Sequence, residues 1–61
     1  MVYWVIKDLI NEKYFSFQHK WDDEILVAME FTSEENALGT MKQYAQFFQK
    51  PCAIEKVYHL K

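Results

Sequence analysis

The sequence predicts an α+β domain in which a single helix covers one face of a four-stranded sheet. Three observations carry this reading. One helix-period apolar stripe lies between Thr32 and Pro51, period-two alternation runs through the stretches on either side, and the composition is 51% hydrophobic and 18% aromatic. Such a chain is a packed globule and not a disordered tail. Its 61 residues make one domain, 1–61, so small that large side chains must supply most of the burial.

Val2 to Lys7 reads as a strand with Val2, Trp4 and Ile6 on one face and Tyr3 and Val5 on the other. Apolar residues on both faces suit a central strand. Asp8 to Glu12, centred on Asn11, supplies a turn. Lys13 to Trp21 alternates cleanly, with Phe15, Phe17, His19 and Trp21 facing one way and Tyr14, Ser16, Gln18 and Lys20 the other, which predicts one half-buried strand in a hairpin with the first. Asp22, Asp23 and Glu24 then form an acidic turn. Ile25 to Phe31 reads as the third strand, with Ile25, Val27, Met29 and Phe31 inward and Leu26, Ala28 and Glu30 outward.

The helix follows. Thr32 is placed to accept the Glu35 N–H while the Glu35 side chain returns to the Thr32 N–H, a capping box, and Glu34 and Glu35 complement the dipole of the first turn. Ala37, Leu38, Met41, Tyr44, Ala45 and Phe48 form the apolar arc at 100° per residue. Pro51 disfavours helical geometry at Lys50, so the helix is expected to end near Gln49. Gly39 falls on the outer face, where a glycine costs about 1 kcal/mol relative to alanine. Phe47, at the edge of the arc, is expected to be partly buried. Cys52 to Leu60 is the fourth strand, with Ile54, Lys56, Tyr58 and Leu60 on one face.

The expected topology is β-β-β-α-β. A three-strand meander is followed by a right-handed crossover that brings strand four beside strand one, in parallel, giving the spatial order 3-2-1-4. The helix packs on one face. Leu38, Met41, Tyr44 and Phe48 are expected to meet Trp4, Ile6, Phe15, Phe17, Val27 and Met29 there. The other face carries Tyr3, Val5, Tyr14, Leu26, Ala28 and either Val57 or Tyr58, depending on the register of strand four.

Enzyme chemistry finds no foothold in the residues. Cys52 and His59 lie seven apart, on opposite faces of a regular strand and roughly 23 Å distant. His19, His59 and Asp22 lack the i, i+2 or i, i+4 spacing of a metal pair. One glycine cannot build a phosphate loop, and one cysteine excludes an internal disulfide. No cofactor is implied. No apolar run approaches the roughly 18 residues of a membrane span, and the opening lacks the basic region of a signal peptide, so a cytoplasmic protein is expected.

Nine acidic residues stand against seven lysines, with no arginine, for a net charge of −2. This argues against direct binding of nucleic acid phosphates, which favours arginine for bidentate contacts. Two surfaces remain as partner-binding candidates. One is the helix-free sheet face with Tyr3, Val5, Tyr14, Leu26 and Tyr58, since an exposed apolar patch marks an interaction site or a homodimer interface. The other is the acidic loop Asp22, Asp23 and Glu24, suited to steering towards a basic surface. The alternative reading is a single-strand nucleic-acid binder stacking bases on Tyr3, Tyr14 and Tyr58.

Tyr3-Trp4-Val5-Ile6-Lys7-Asp8, Lys13-Tyr14-Phe15-Ser16-Phe17, Phe31-Thr32-Ser33-Glu34-Glu35-Asn36-Ala37-Leu38 and Ile54-Glu55-Lys56-Val57 together resemble the small accessory proteins of phages and prophages of Gram-positive bacteria. The resemblance implies a single-domain, host-takeover protein of the anti-CRISPR type, a stoichiometric inhibitor of a host nucleic-acid enzyme such as an RNA-guided nuclease. Its partner would be a host protein with a basic nucleic-acid-binding surface. The mild acidity departs from inhibitors that imitate a DNA duplex.

Overall fold

The first strand is the spine of the sheet. A computed structural model describes residues 1–58; the expected continuation of the last strand to His59 and Leu60 lies outside them. The elements are β1 (Val2–Asp8), β2 (Lys13–Ser16), β3 (Lys20–Asp22), a 3-10 turn (Ile25–Val27), α1 (Glu34–Gln43) and β4 (Cys52–Tyr58). The sheet has the order β3-β2-β1-β4, so the α+β class, the strand order 3-2-1-4 and the single helix are as the sequence predicts. Val5 and Ile6, on opposite faces of β1, are both fully buried, as a central strand requires.

Every pairing in the sheet is antiparallel, and this corrects the expected parallel crossover. The stretch expected as one strand from Lys13 to Trp21 folds back at Phe17–His19, where Gln18 and His19 take left-handed backbone angles (φ 62° and 54°). Phe15 and Trp21 become cross-strand partners. They still face the same way, which is why the alternation concealed the turn. The expected third strand, Ile25 to Phe31, is instead a 3-10 turn followed by two isolated bridges, Ser16 to Ala28 and Trp4 to Phe31.

That extra reversal sets the direction of everything after it. Phe31 exchanges two backbone hydrogen bonds with Trp4 (3.0 and 2.8 Å), near the beginning of β1, so the helix starts at that end of the sheet. The helix and the turn after it deliver the chain to the Asp8 end, where Lys50 pairs with Asp8 and the Pro51 carbonyl accepts from the Leu9 N–H, and β4 must run back, from Cys52 beside Asp8 to Tyr58 beside Val2.

The helix is shorter than its pattern. Ser33, not Thr32, is the N-cap, its hydroxyl accepting from the Asn36 N–H (3.1 Å), while Thr32 Oγ1 accepts from Asn36 Nδ2 (2.6 Å). Asn36 thus supplies the backbone N–H expected of Glu35, but its side chain donates to a hydroxyl and does not accept from the cap residue's N–H as a capping box requires. The last helical residue is Gln43, and Tyr44 leaves helical geometry (φ −115°, ψ 48°). Residues 44–48 form a turn that presents two consecutive rings to the Trp21 indole, Phe47 stacked at 5.4 Å and Phe48 edge-on at 5.8 Å. Tertiary packing of aromatics here overrides a weak helical preference.

The core consists of Ile6, Phe15, Phe31, Ala37 and Phe48, with Trp4, Trp21, Met29, Met41 and Phe47 packed against it. Leu38, Tyr44, Phe17 and Val27, expected in this core, are exposed. A methyl group at Gly39 would meet nothing within 4 Å, so no packing within the chain explains that glycine.

The Asp8 end of the sheet is closed by a polar latch. The inaccessible Asp8 carboxylate accepts from the N–H groups of Ile10 (2.9 Å) and Asn11 (3.3 Å) and from Asn11 Nδ2 (3.0 Å), and it pairs with Lys50 Nζ at 3.0 Å. Lys50 in turn lies over the Trp21 ring at 4.4 Å. Burial alone would raise the Asp8 pKa; the hydrogen bonds from Asn11 and Ile10 and the Lys50 ammonium outweigh it and hold the carboxyl well below its ordinary range.

Candidate functional site

The opposite end of the molecule has no such closure. There the β2–β3 turn puts Phe17 68% exposed, and the 3-10 turn puts Leu26 80% and Val27 48% exposed. These three, with Ala28 and Glu30, line an open groove of about 480 Å³. The 3-10 turn exposes its apolar residues because it is too short to form a buried stripe and its neighbouring chain is committed elsewhere: the Met29 N–H bonds to the Phe15 carbonyl (2.8 Å). Exposed apolar side chains gathered round a groove are the usual mark of a docking surface.

The acidic loop precedes the 3-10 turn in the chain, but none of its three residues lines the groove. Asp22 closes β3 and accepts the Glu24 N–H on Oδ1 (3.0 Å), Asp23 lies 3.7 Å from Lys13 Nζ in an exposed pair, and Glu24 caps the 3-10 turn without a side-chain bond. Glu24 and Glu30 therefore flank the exposed Leu26 and Val27 in sequence, and Glu30 lines the groove itself. Leu26 thus shares the groove with Glu30, while Asp22 and Asp23 lie beside Tyr14 and Lys13, at the Asp8 end of the sheet and away from Phe17.

The remaining expected site residues do not join them. Val5, expected on a docking face, is fully buried. Tyr3 and Tyr14 are half-buried on the helix-free face, where Lys7 Nζ stands 5.8 Å from the Tyr14 ring centre. Tyr58 is 66% exposed but opposes Val2 in the β1–β4 register, while Val57 opposes Tyr3. Alternation then puts Tyr58 on the helix side, so Tyr3, Tyr14 and Tyr58 do not share a face as a base-stacking platform requires. Lys56 Nζ lies 5.5 Å from the Tyr58 ring and 5.8 Å from that of Trp4.

Phe17, Val27 and Glu30 were not legible as site residues. The only hints are a lone phenylalanine in the polar run Ser16 to Lys20 and a glutamate in the apolar run Ile25 to Phe31.

Nucleophilic and metal chemistry gain nothing from the geometry. Cys52 is half-buried at the start of β4, and burial, reinforced by the Asp8 charge and opposed by Lys50, pushes its thiol pKa up, away from the reactive thiolate. His59, the other half of the possible pair, lies outside the described residues. Among the described residues no three His, Cys, Asp or Glu side chains converge as metal ligands, and no helix is long and apolar enough to cross a membrane. No family model, curated protein or solved structure matches the chain. Its function must be argued from its own surface.

Proposed function

We propose that the protein acts by binding another protein through the groove between the β2–β3 turn and the 3-10 turn. The observation that carries the reading is the exposure of Phe17, Leu26 and Val27 round one groove, with Asp23, Glu24 and Glu30 also exposed. An apolar groove that includes the Glu30 carboxylate, on a chain of net negative charge, fits a partner whose surface is basic with an apolar protrusion, because the charges steer association and the buried apolar area holds the complex. Together with the resemblance to small phage accessory proteins, this favours a stoichiometric inhibitor of a host nucleic-acid enzyme such as an RNA-guided nuclease, acting in the bacterial cytoplasm.

Cleavage assays with RNA-guided nucleases of Gram-positive hosts, at increasing ratios of this protein, test the reading. Inhibition should saturate near one protein per enzyme and be lost in Leu26→Ser. Full activity of the nucleases, or inhibition unchanged in Leu26→Ser, counts against it. Sedimentation at several concentrations separates this from a homodimer formed through the same groove, which Leu26→Ser would convert to a monomer.

A further inference from the structure

A second groove, of about 420 Å³, lies on the other side of the Glu30 segment, between the β2–β3 turn and the last turn of α1. We propose that it receives an arginine side chain of the partner, an inference that rests on the reading above, since a basic surface is what would present one.

Three independent features favour a flat cation there. Rings of Phe15, His19 and Tyr44 line the groove, with His19 and Tyr44 in edge contact at 4.8 Å; aromatic faces attract guanidinium by stacking and by their quadrupoles. Glu30 places a carboxylate in the lining, and Gln18 and Gln43 add amide oxygens, which are acceptors for the five donors of an arginine. Thr40, Gln43 and Tyr44 also bring the C-terminal end of α1 to the groove, where the helix dipole favours positive charge. Among the described residues no lysine lines the groove, and the chain contains no arginine of its own.

The left-handed Gln18 and His19 give the site a reason for its backbone. Non-glycine residues seldom adopt φ near 60°, and here that conformation makes the turn that brings Gln18 and His19 opposite the helix end. Glu30 lines both grooves, so one partner segment could seat an apolar residue beside Leu26 and an arginine beside Tyr44.

The test needs no partner. Amide shifts of isotope-labelled protein are followed with Nα-acetylarginine amide, and with its citrulline and lysine counterparts as controls. Saturable shifts are expected at Gln18, His19, Glu30, Gln43 and Tyr44 with the arginine compound alone. Glu30→Gln should weaken them about threefold, in the range of a surface ion pair, and Tyr44→Leu by a similar factor through loss of a ring face. Glu34→Gln, at the far end of the helix, should leave them unchanged. Equal shifts with the citrulline or lysine compound, or undiminished shifts in both Glu30→Gln and Tyr44→Leu, would overturn the assignment. Because the probe is a small molecule, this result stands apart from the nuclease assays, and either can fail while the other holds.

Discussion

Phe15 and Phe48 in the core and Phe17 on the β2–β3 turn are the same side chain with opposite fates. Phe48 sits 5.0 Å from Phe15 and edge-on to Trp21, while Phe17, two residues from Phe15, faces solvent. At the Asp8 end the latch satisfies the buried carboxylate, although Leu9 and Ile10 in the turn beyond it stay exposed. At the open end the backbone is bonded, Met29 to Phe15 and Ala28 to Ile25, but Phe17, Leu26 and Val27 stay exposed. In a domain this small, where every buried ring matters to stability, leaving three large apolar side chains outside is intelligible if another molecule covers them.

The sharpest way to break this contrast is to truncate a ring on each side of it. Phe48→Ala should cost about 3 to 5 kcal/mol, comparable with the whole stability of a small domain, and should be seen as loss of cooperative thermal unfolding. Phe17→Ala should stay within about 0.5 kcal/mol, as surface substitutions do. Equal costs would mean that the core and the turn do not differ in the way described.

The latch should have a signature in acid. The folded pKa of Asp8 lies below its ordinary value of 3.8, so its contribution is complete above that value and is lost as pH falls below it towards the folded pKa. The melting temperature should therefore drop on acidification below about pH 4. Asp8→Asn should melt lower at neutral pH and fall less steeply in acid. Parallel pH profiles for the two proteins would remove the latch from the account.

A smaller effect is expected where the helix begins. Ser33→Ala should destabilise by about 1 kcal/mol through loss of the cap, measured by urea unfolding, and Thr32→Ala by less, because its hydroxyl bonds a side chain and leaves no backbone group orphaned. The reverse ranking would restore the cap to Thr32. Least of all should change in the stability of Leu26→Ser, within about 0.5 kcal/mol, even as it abolishes binding. A large stability loss would place Leu26 in the core.

Legibility in the sequence followed the strength of local signals. The two apolar faces of Val2 to Lys7 announced a central strand, and the strand order came with it. The Phe17–His19 turn carried no glycine, proline or asparagine, and its left-handed residues are types that turn chemistry does not flag. Missing that reversal produced the parallel β4 and the false strand at Ile25 to Phe31. Leu26 was expected outside by alternation and is outside because it sits on a 3-10 turn. Val5 was assigned to the correct face, but local pattern does not report how deeply a face is covered. The acidic loop was visible as charge; that Glu30, and not Asp22 or Asp23, lines the apolar groove required the fold.

The antiparallel pairing of β1 with β4 joins the two strands of this sheet that are farthest apart in sequence. While the chain is being made, the spine of the sheet waits with one edge bare and with Ile6 lacking the Ile54 opposite it. Contacts so distant in sequence form slowly, and a bare strand edge is a template for pairing with another nascent chain. Completion of the sheet thus waits on Cys52–Tyr58, and a nascent chain that stalls before Cys52 carries aromatic side chains with no completed sheet to shelter them.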